Sequence, residues 1–309
     1  MKPNSLLLLI ATLLAPALHA DETAADKIDP AEMNLIDPAL LGFGPPGFSA
    51  AVTASGSMDF EKGGGSVDYL DSRALIPLWG REIDPETFVG VMLGCGWASL
   101  DVDRTLGVDR LSLTTLECQI TAAHFPKTDQ GWMGIGIISP GVSTDFNHLT
   151  GDDFSFSALA VWGYQFSPRF TLSAAGFFNY SIGETTAVPG IGVVWRPTDT
   201  LILQLTPPIA AIGWTPVKDW TISFSAYPAG GGWDVDREGT GGNVERIKLE
   251  GWRTGLGVER KIGQHLRVSA QVGVNIGGKL ELRDGSDRKL FSDDLDPSLF
   301  GLIGASYSF

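Results

Sequence analysis

Phe300-Gly-Leu-Ile-Gly-Ala-Ser-Tyr-Ser-Phe309, the last stretch of the sequence, alternates with a period of two. Ile303, Ala305, Tyr307 and Phe309 share one face. Leu302, Gly304, Ser306 and Ser308 share the other, which turns small and polar toward the end. Side chains that alternate in this way belong to a β-strand with two chemically different faces.

The same alternation recurs upstream. Residues 48–60 set Phe48, Ala50, Val52, Ala54, Met58 and Phe60 against Ser49, Thr53, Ser55, Ser57 and Asp59. A Gly-rich tip at 61–65 returns the chain into a second strand, about 66–78, where Asp71 and Arg73 share the polar parity. Residues 87–100 and 111–124 form the next pair. A hairpin symmetric about its loop puts Trp97 opposite Leu116, Cys95 opposite Cys118 and Leu93 opposite Ile120, with Gly96 opposite Glu117 and Gly94 opposite Gln119 behind them. A one-residue slip would scramble both faces, so the parity is well specified. In that register Cys95 and Cys118 lie within reach of a disulfide; the alternative is two free thiols on the lipid face, acting as small hydrophobes.

Residues 132–146 are apolar on both parities until Ser139, and their faces stay unassigned. Plain alternation returns at 154–166 and 170–180, then at 188–196, 201–205, 209–214, 220–228 and 266–275. The strand at about 244–259 switches apolar parity near Gly251, the mark of a bulge. Two long outer loops are expected, at 230–243 and at 284–296. Proline cannot donate to a ladder, so Thr206-Pro-Pro208 is either a tip or a break. As a tip it gives about 14 strands; as a break, about 12.

Short connections at 167–169, 197–199, 215–219 and 262–264 alternate with longer Gly- and Asp-rich ones. Aromatic residues gather near both strand ends, as amphipathic rings do at two membrane interfaces. Backbone polar groups in hydrocarbon must be paired, so alternating strands enter a bilayer only as a closed barrel. The expected fold is therefore all-β, an antiparallel transmembrane β-barrel of 12–14 strands over residues 47–309. The rival, a soluble β-sandwich, has no reason to place aromatics at strand ends.

Lys2, the apolar run Leu6 to Leu14 and Ala15-Pro-Ala-Leu-His-Ala20 read as a signal peptide over 1–20. Acidic, Pro-containing residues 21–46 read as a disordered periplasmic leader, or alternatively a docking arm. The formal charge of −14 argues against nucleic acid as a partner.

With Gly304, Tyr307 and Phe309 in these positions, the terminal strand resembles that of bacterial outer-membrane β-barrels. The resemblance implies recognition by the barrel-assembly machinery, closure against the first strand, outer-membrane lipid as surroundings and a location in the outer membrane. As a whole the chain resembles the uncharacterised, unknown-function outer-membrane barrel families of Gram-negative bacteria. Through Pro189-Gly-Ile-Gly-Val-Val-Trp-Arg-Pro197 it has a more distant resemblance to barrels linked to aromatic-compound uptake.

On this alternation Asp71, Arg73, Glu117, Gln119, Arg253, Glu259, Arg267, Gln271 and Asn275 line the lumen. They suit a passive channel or uptake barrel for a small solute, or a plugged structural barrel whose loops at 230–243 and 284–296 bind a partner. Ser143, Asp145 and His148 contain the residue types of a rim hydrolase but no flanking nucleophile motif, and no enzyme activity is expected. Asp152 and Asp153, Asp234 with Asp236, and Asp293 and Asp294 with Asp296 lack the spacing of a calcium loop. No cofactor or metal is expected.

Overall fold

The computed structural model describes residues 47–103, 110–147, 149–239 and 242–308. The expected signal peptide and leader, His148 and Phe309 lie outside the described residues.

The chain runs through β1 (Gly47–Ser55), β2 (Met58–Asp59), β3 (Ser66–Asp84), β4 (Thr87–Asp103), β5 (Arg110–His124) and β6 (Gly131–Thr144). A 3₁₀ turn, Gly151–Asp153, precedes β7 (Phe154–Ser167), β8 (Phe170–Ser181), β9 (Glu184–Trp195), β10 (Leu201–Thr206) and β11 (Ile209–Val217). Then come β12 (Trp220–Gly239), β13 (Gly242–Ile262), β14 (Leu266–Arg283), β15 (Lys289–Leu295) and β16 (Ser298–Ser308). Of these 16 strands, β2 and β15 attach only at one end; the other 14 form one closed antiparallel barrel. β1 closes it by pairing β3 on one side and β16 on the other, with Phe48 opposite Tyr307 and Val52 opposite Ile303. Closure by the terminal strand is as expected. Thr206-Pro-Pro208 is the tip joining β10 to β11, which selects the count of 14.

The barrel is apolar outside and polar inside. Val52, Leu116, Leu172, Ile191, Leu205 and Leu256 face outward and are exposed, whereas Ser49, Thr53, Gln119, Thr171, Ser225 and Gln271 face inward and are buried. That inversion suits hydrocarbon as the outer solvent. An aromatic belt rings the short-turn end: Trp132 stacks on Trp162 at 6.2 Å and meets Tyr164 edge-on at 5.3 Å, and Tyr164 continues to Phe166 at 5.0 Å.

Pairing with β5 and β7 assigns β6. Ile135, Ile137, Ser139 and Ser143 face inward, and Trp132, Ile138 and Val142 outward, with Gly134 lying beneath the Trp162 ring. The outward glycines weaken the apolar signal on one face, and the inward isoleucines add to it on the other.

The upper end, opposite the short turns, is uneven. β3, β4, β12, β13 and β14 run far past the tips of β7 to β11. β12 bends at Gly230, whose φ of 106° favours glycine and whose added Cβ would lie 2.0 Å from the Leu249 carbonyl oxygen. Above the bend β12 reaches across to β6: Asp234 pairs with Thr144, and the Asp145 amide donates to the Asp234 carbonyl at 3.3 Å. On the far side β15 pairs β14 and bridges Leu295 to Phe60 next to β2. The long strands thus close into a second, smaller ring above the main barrel. Val67, Leu100, Leu111, Trp233, Ile247 and Leu280 are among the side chains that fill it.

Residues 230–243, expected as a loop, are therefore mostly strand. Trp233, Val235 and Val244 are buried core, and the glycines around them bend the strand rather than end it. Part of the second expected loop is likewise β15. A register shift does lie between Glu250 and Trp252, but its extra residue is on β14, at Gly277 with φ 60°. β13 keeps its odd-numbered residues inward throughout, and its apolar parity switches near Gly251 because the interior changes from polar at Arg253 to apolar at Leu249 and Ile247.

Candidate functional site: the barrel interior and its side opening

The nine interior candidates all occupy the inward parity, and those that carry charge are paired. Arg253, 6% exposed, reaches Asp71 across the barrel at 2.5 Å and donates through Nε to Asn275 Oδ1 at 3.3 Å. Its guanidinium also lies 5.7 Å from the Tyr69 ring centre and 5.6 Å from that of Phe300. Arg73 pairs with Glu117, and Arg267 with Glu259 at 3.5 Å. Tyr227 donates to Gln271 Oε1 at 2.8 Å, Gln271 Nε2 to Ser225 at 2.9 Å and Asn275 Nδ2 to Ser298 at 3.0 Å. These charge and amide groups satisfy one another, as the cost of burying them requires; the exception is fully buried Gln119, which donates through Nε2 to Thr121 Oγ1 at 3.2 Å while its Oε1 has no partner. This network crosses the wall formed by β12, β13, β14, β16, β1 and β3, with Arg73–Glu117 beside it.

Both cysteines are free thiols. Cys95 pairs with Leu116, and Cys118 with Leu93, a register two residues from the symmetric one. A slip of two keeps every side chain on its face, so periodicity cannot detect it. It moves the two residues to diagonal positions, whose Cα atoms are about 7–8 Å apart in such a ladder. Thiol titration of the unfolded protein is expected to find both cysteines reactive without reductant; finding neither would mean a bridge.

Of the three rim residues, His148 lies outside the described residues, and Ser143 and Asp145 are engaged elsewhere. Ser143 Oγ lies 3.1 Å from the Thr115 hydroxyl, while the Asp145 carboxylate takes Asn147 Nδ2 at 2.6 Å and Arg237 at 3.2 Å. Asp152 pairs with Arg246 at 3.1 Å, and Asp294 with Lys62 at 3.6 Å. No group of three or more His, Cys, Asp or Glu that could hold a metal occurs among the described residues.

Above the membrane belt, burial and then the carboxylates of Asp153 and Asp152 push Asp234 up to about 6, against Arg246 and with help from Glu245. Asp145 and Arg237 lie nearby, on β6's end and on β12. The folded value exceeds the unfolded one, so the folded state holds the proton more tightly. Stability should rise as pH falls from 8 through 6, by on the order of 1–2 kcal/mol, and the charge should cost stability above it. Unfolding in urea at pH 8 and pH 5 checks this; Asp234→Asn should flatten the difference.

One part of the wall is incomplete. β10 pairs with β9 only from Val193 to Trp195, and β11 pairs with β12 only up to Ala226. Above the Pro207–Pro208 tip, β9 from Thr185 to Gly192 and β12 from Tyr227 to Gly232 have no ladder partner on their facing edges among the described residues. The gap is shut at its top. Ser181 Oγ donates to the Gly232 carbonyl at 3.2 Å, and Glu184 pairs with Lys248 at 2.5 Å and Arg283 at 2.7 Å. Its base, three strand spacings between β9 and β12, is about 14 Å wide. Sequence reasoning missed this opening, whose only trace is the shortness of the run 201–214.

The family model described as "Domain of unknown function (DUF6268)" matches residues 84–308, and the chain belongs to that family. The chain matches no curated protein. Among solved structures it is similar to the KdgM porin in complex with disordered oligogalacturonate, at 10% identity and a TM-score of 0.37, over 84% of this chain and 99% of that one. It is also similar to the P. putida toluene transporter TodX, at 10% identity and a TM-score of 0.40, over 89% and 93%. A third is outer membrane phospholipase A from Escherichia coli, at 10% identity and a TM-score of 0.35, over 85% and 97%.

Proposed function

With that fold and that family as premises, we propose that the protein is a passive uptake barrel for a small solute in the bacterial outer membrane, without catalytic activity. Its short turns face the periplasm and its smaller ring faces out. Lipid surrounds it, and the barrel-assembly machinery inserts it through the terminal strand. The observation that carries the reading is on β9. Thr186 and Val188 share the inward parity yet are exposed, Val188 by 36%, at the unpaired edge of β9, which supports access to the interior beside the upper ring that apolar side chains fill. The smaller ring supports a second reading, a plugged structural barrel. Swelling of proteoliposomes in arabinose separates the two. Uptake predicts swelling faster than in protein-free vesicles, and equal rates would contradict it.

A further inference from the structure

The interior wall beside the gap differs from the charged wall across the barrel. Ile137 on β6 pairs with Leu159 on β7, Leu159 with Phe177 on β8, and Phe177 with Val188 on β9. All four face inward in one continuous row that ends at the incomplete edge of β9. Exposure increases along the row, from Ile137 at 3% through two half-buried residues to Val188 at 36%. A row across four strands is about 14 Å long. The row above it is polar, Ser139, Ser157, Asn179 and Thr186, so the apolar stripe has a sharp border.

The base of the gap opens toward lipid, while its top lies at the ion pairs of Glu184 with Lys248 and Arg283, beneath the smaller ring. Below it the outward residues Leu205 and Ile212 are 54% and 47% exposed, and Ile191 on its β9 edge is 69% exposed. Free strand edges in hydrocarbon are costly because each unpaired amide lacks water. Here prolines stand around the frame: Pro189 on β9, Pro207 and Pro208 at the sill, and Pro228 on β12. Proline has no amide hydrogen to leave unpaired and is tolerated on strand edges for that reason.

We propose that this gap is a lateral entrance from the membrane, and that the row Ile137–Leu159–Phe177–Val188 binds a small apolar molecule, of the size of a one- or two-ring aromatic hydrocarbon. A concave, mostly apolar wall with a polar border is the usual chemistry of such a site. A sugar would find no hydrogen-bond partner along the row, while an apolar solute would shield the row and the open edge together. The inference rests on the uptake reading and names its solute class.

The test uses the full barrel refolded in lipid vesicles, with Cys95→Ser and Cys118→Ser as background and Val188→Cys added. A lipid-soluble pyrenyl maleimide should label Cys at that position, and saturating naphthalene should slow labelling on the order of tenfold. Val52→Cys, on the outer face, should label at the same rate with and without naphthalene. Adding Phe177→Asp should abolish the protection, with heat-modifiable gel mobility verifying the fold of each variant. Absence of labelling at Val188→Cys in a folded barrel, or labelling that naphthalene leaves unchanged, would overturn the proposal. Arabinose swelling of the parent barrel reports separately on the uptake reading: swelling without naphthalene protection sinks the apolar site alone, and protection without swelling sinks the uptake reading while the apolar site stands.

Discussion

Replacing Arg253 with Met is expected to lower the unfolding free energy by about 3 kcal/mol, because it strands a carboxylate in the barrel wall. Asp71 keeps only a quarter of its side-chain surface exposed, and the 2.5 Å contact to Arg253 is its ion pair. The substitution also leaves Asn275 Oδ1 without its donor and removes a cation from between the Tyr69 and Phe300 rings. Removing one partner of a buried pair costs far more than removing both. Asp71→Leu added to Arg253→Met should therefore recover most of the loss. Urea unfolding in lipid vesicles measures both; a double variant no more stable than the single one would mean that the loss comes from packing and not from charge.

Leu280→Ala and Trp233→Ala are expected to cost about 3–4 kcal/mol each, since both side chains sit in the apolar core of the smaller ring. Leu280 has no exposed surface, and Trp233 keeps 5% of its own. Leu172→Ala removes a side chain of similar size from the outward face, where it is 41% exposed and would meet lipid. It should cost less than about 1 kcal/mol in the same assay, as lipid does not leave a fixed cavity. Equal losses at Leu280 and Leu172 would mean that the upper ring is not a packed core. The comparison bears on function, because this ring is what obstructs the axial path.

Much of the fold was legible because membrane strands obey a strict period of two. Asp71, Arg73, Glu117 and Gln271 fell on the inward parity by alternation alone, and the structure keeps them there. What parity cannot see is a shift of two, and for that reason Cys95 and Cys118 came out directly opposite and not diagonal. Composition misled at 230–243, where three consecutive glycines and two aspartates look like a loop. Gly230 there is a bend inside a strand, and Trp233 beyond it anchors a core. The side opening has no local signature, since it arises from the length of β10 and β11 relative to β9 and β12. A hint of the apolar row did exist: Ile135 and Ile137 made 132–146 apolar on both parities. Only the pairing of four strands shows that Leu159, Phe177 and Val188 continue it.

Single-channel recording of the refolded barrel in a planar bilayer tests the central claim most directly, that the interior is an open path entered beside the smaller ring. Steps of small, defined conductance are predicted, unchanged by reductant because Cys95 and Cys118 are free thiols. A correctly folded, heat-modifiable barrel that stays silent would contradict the claim and leave a plugged barrel in its place.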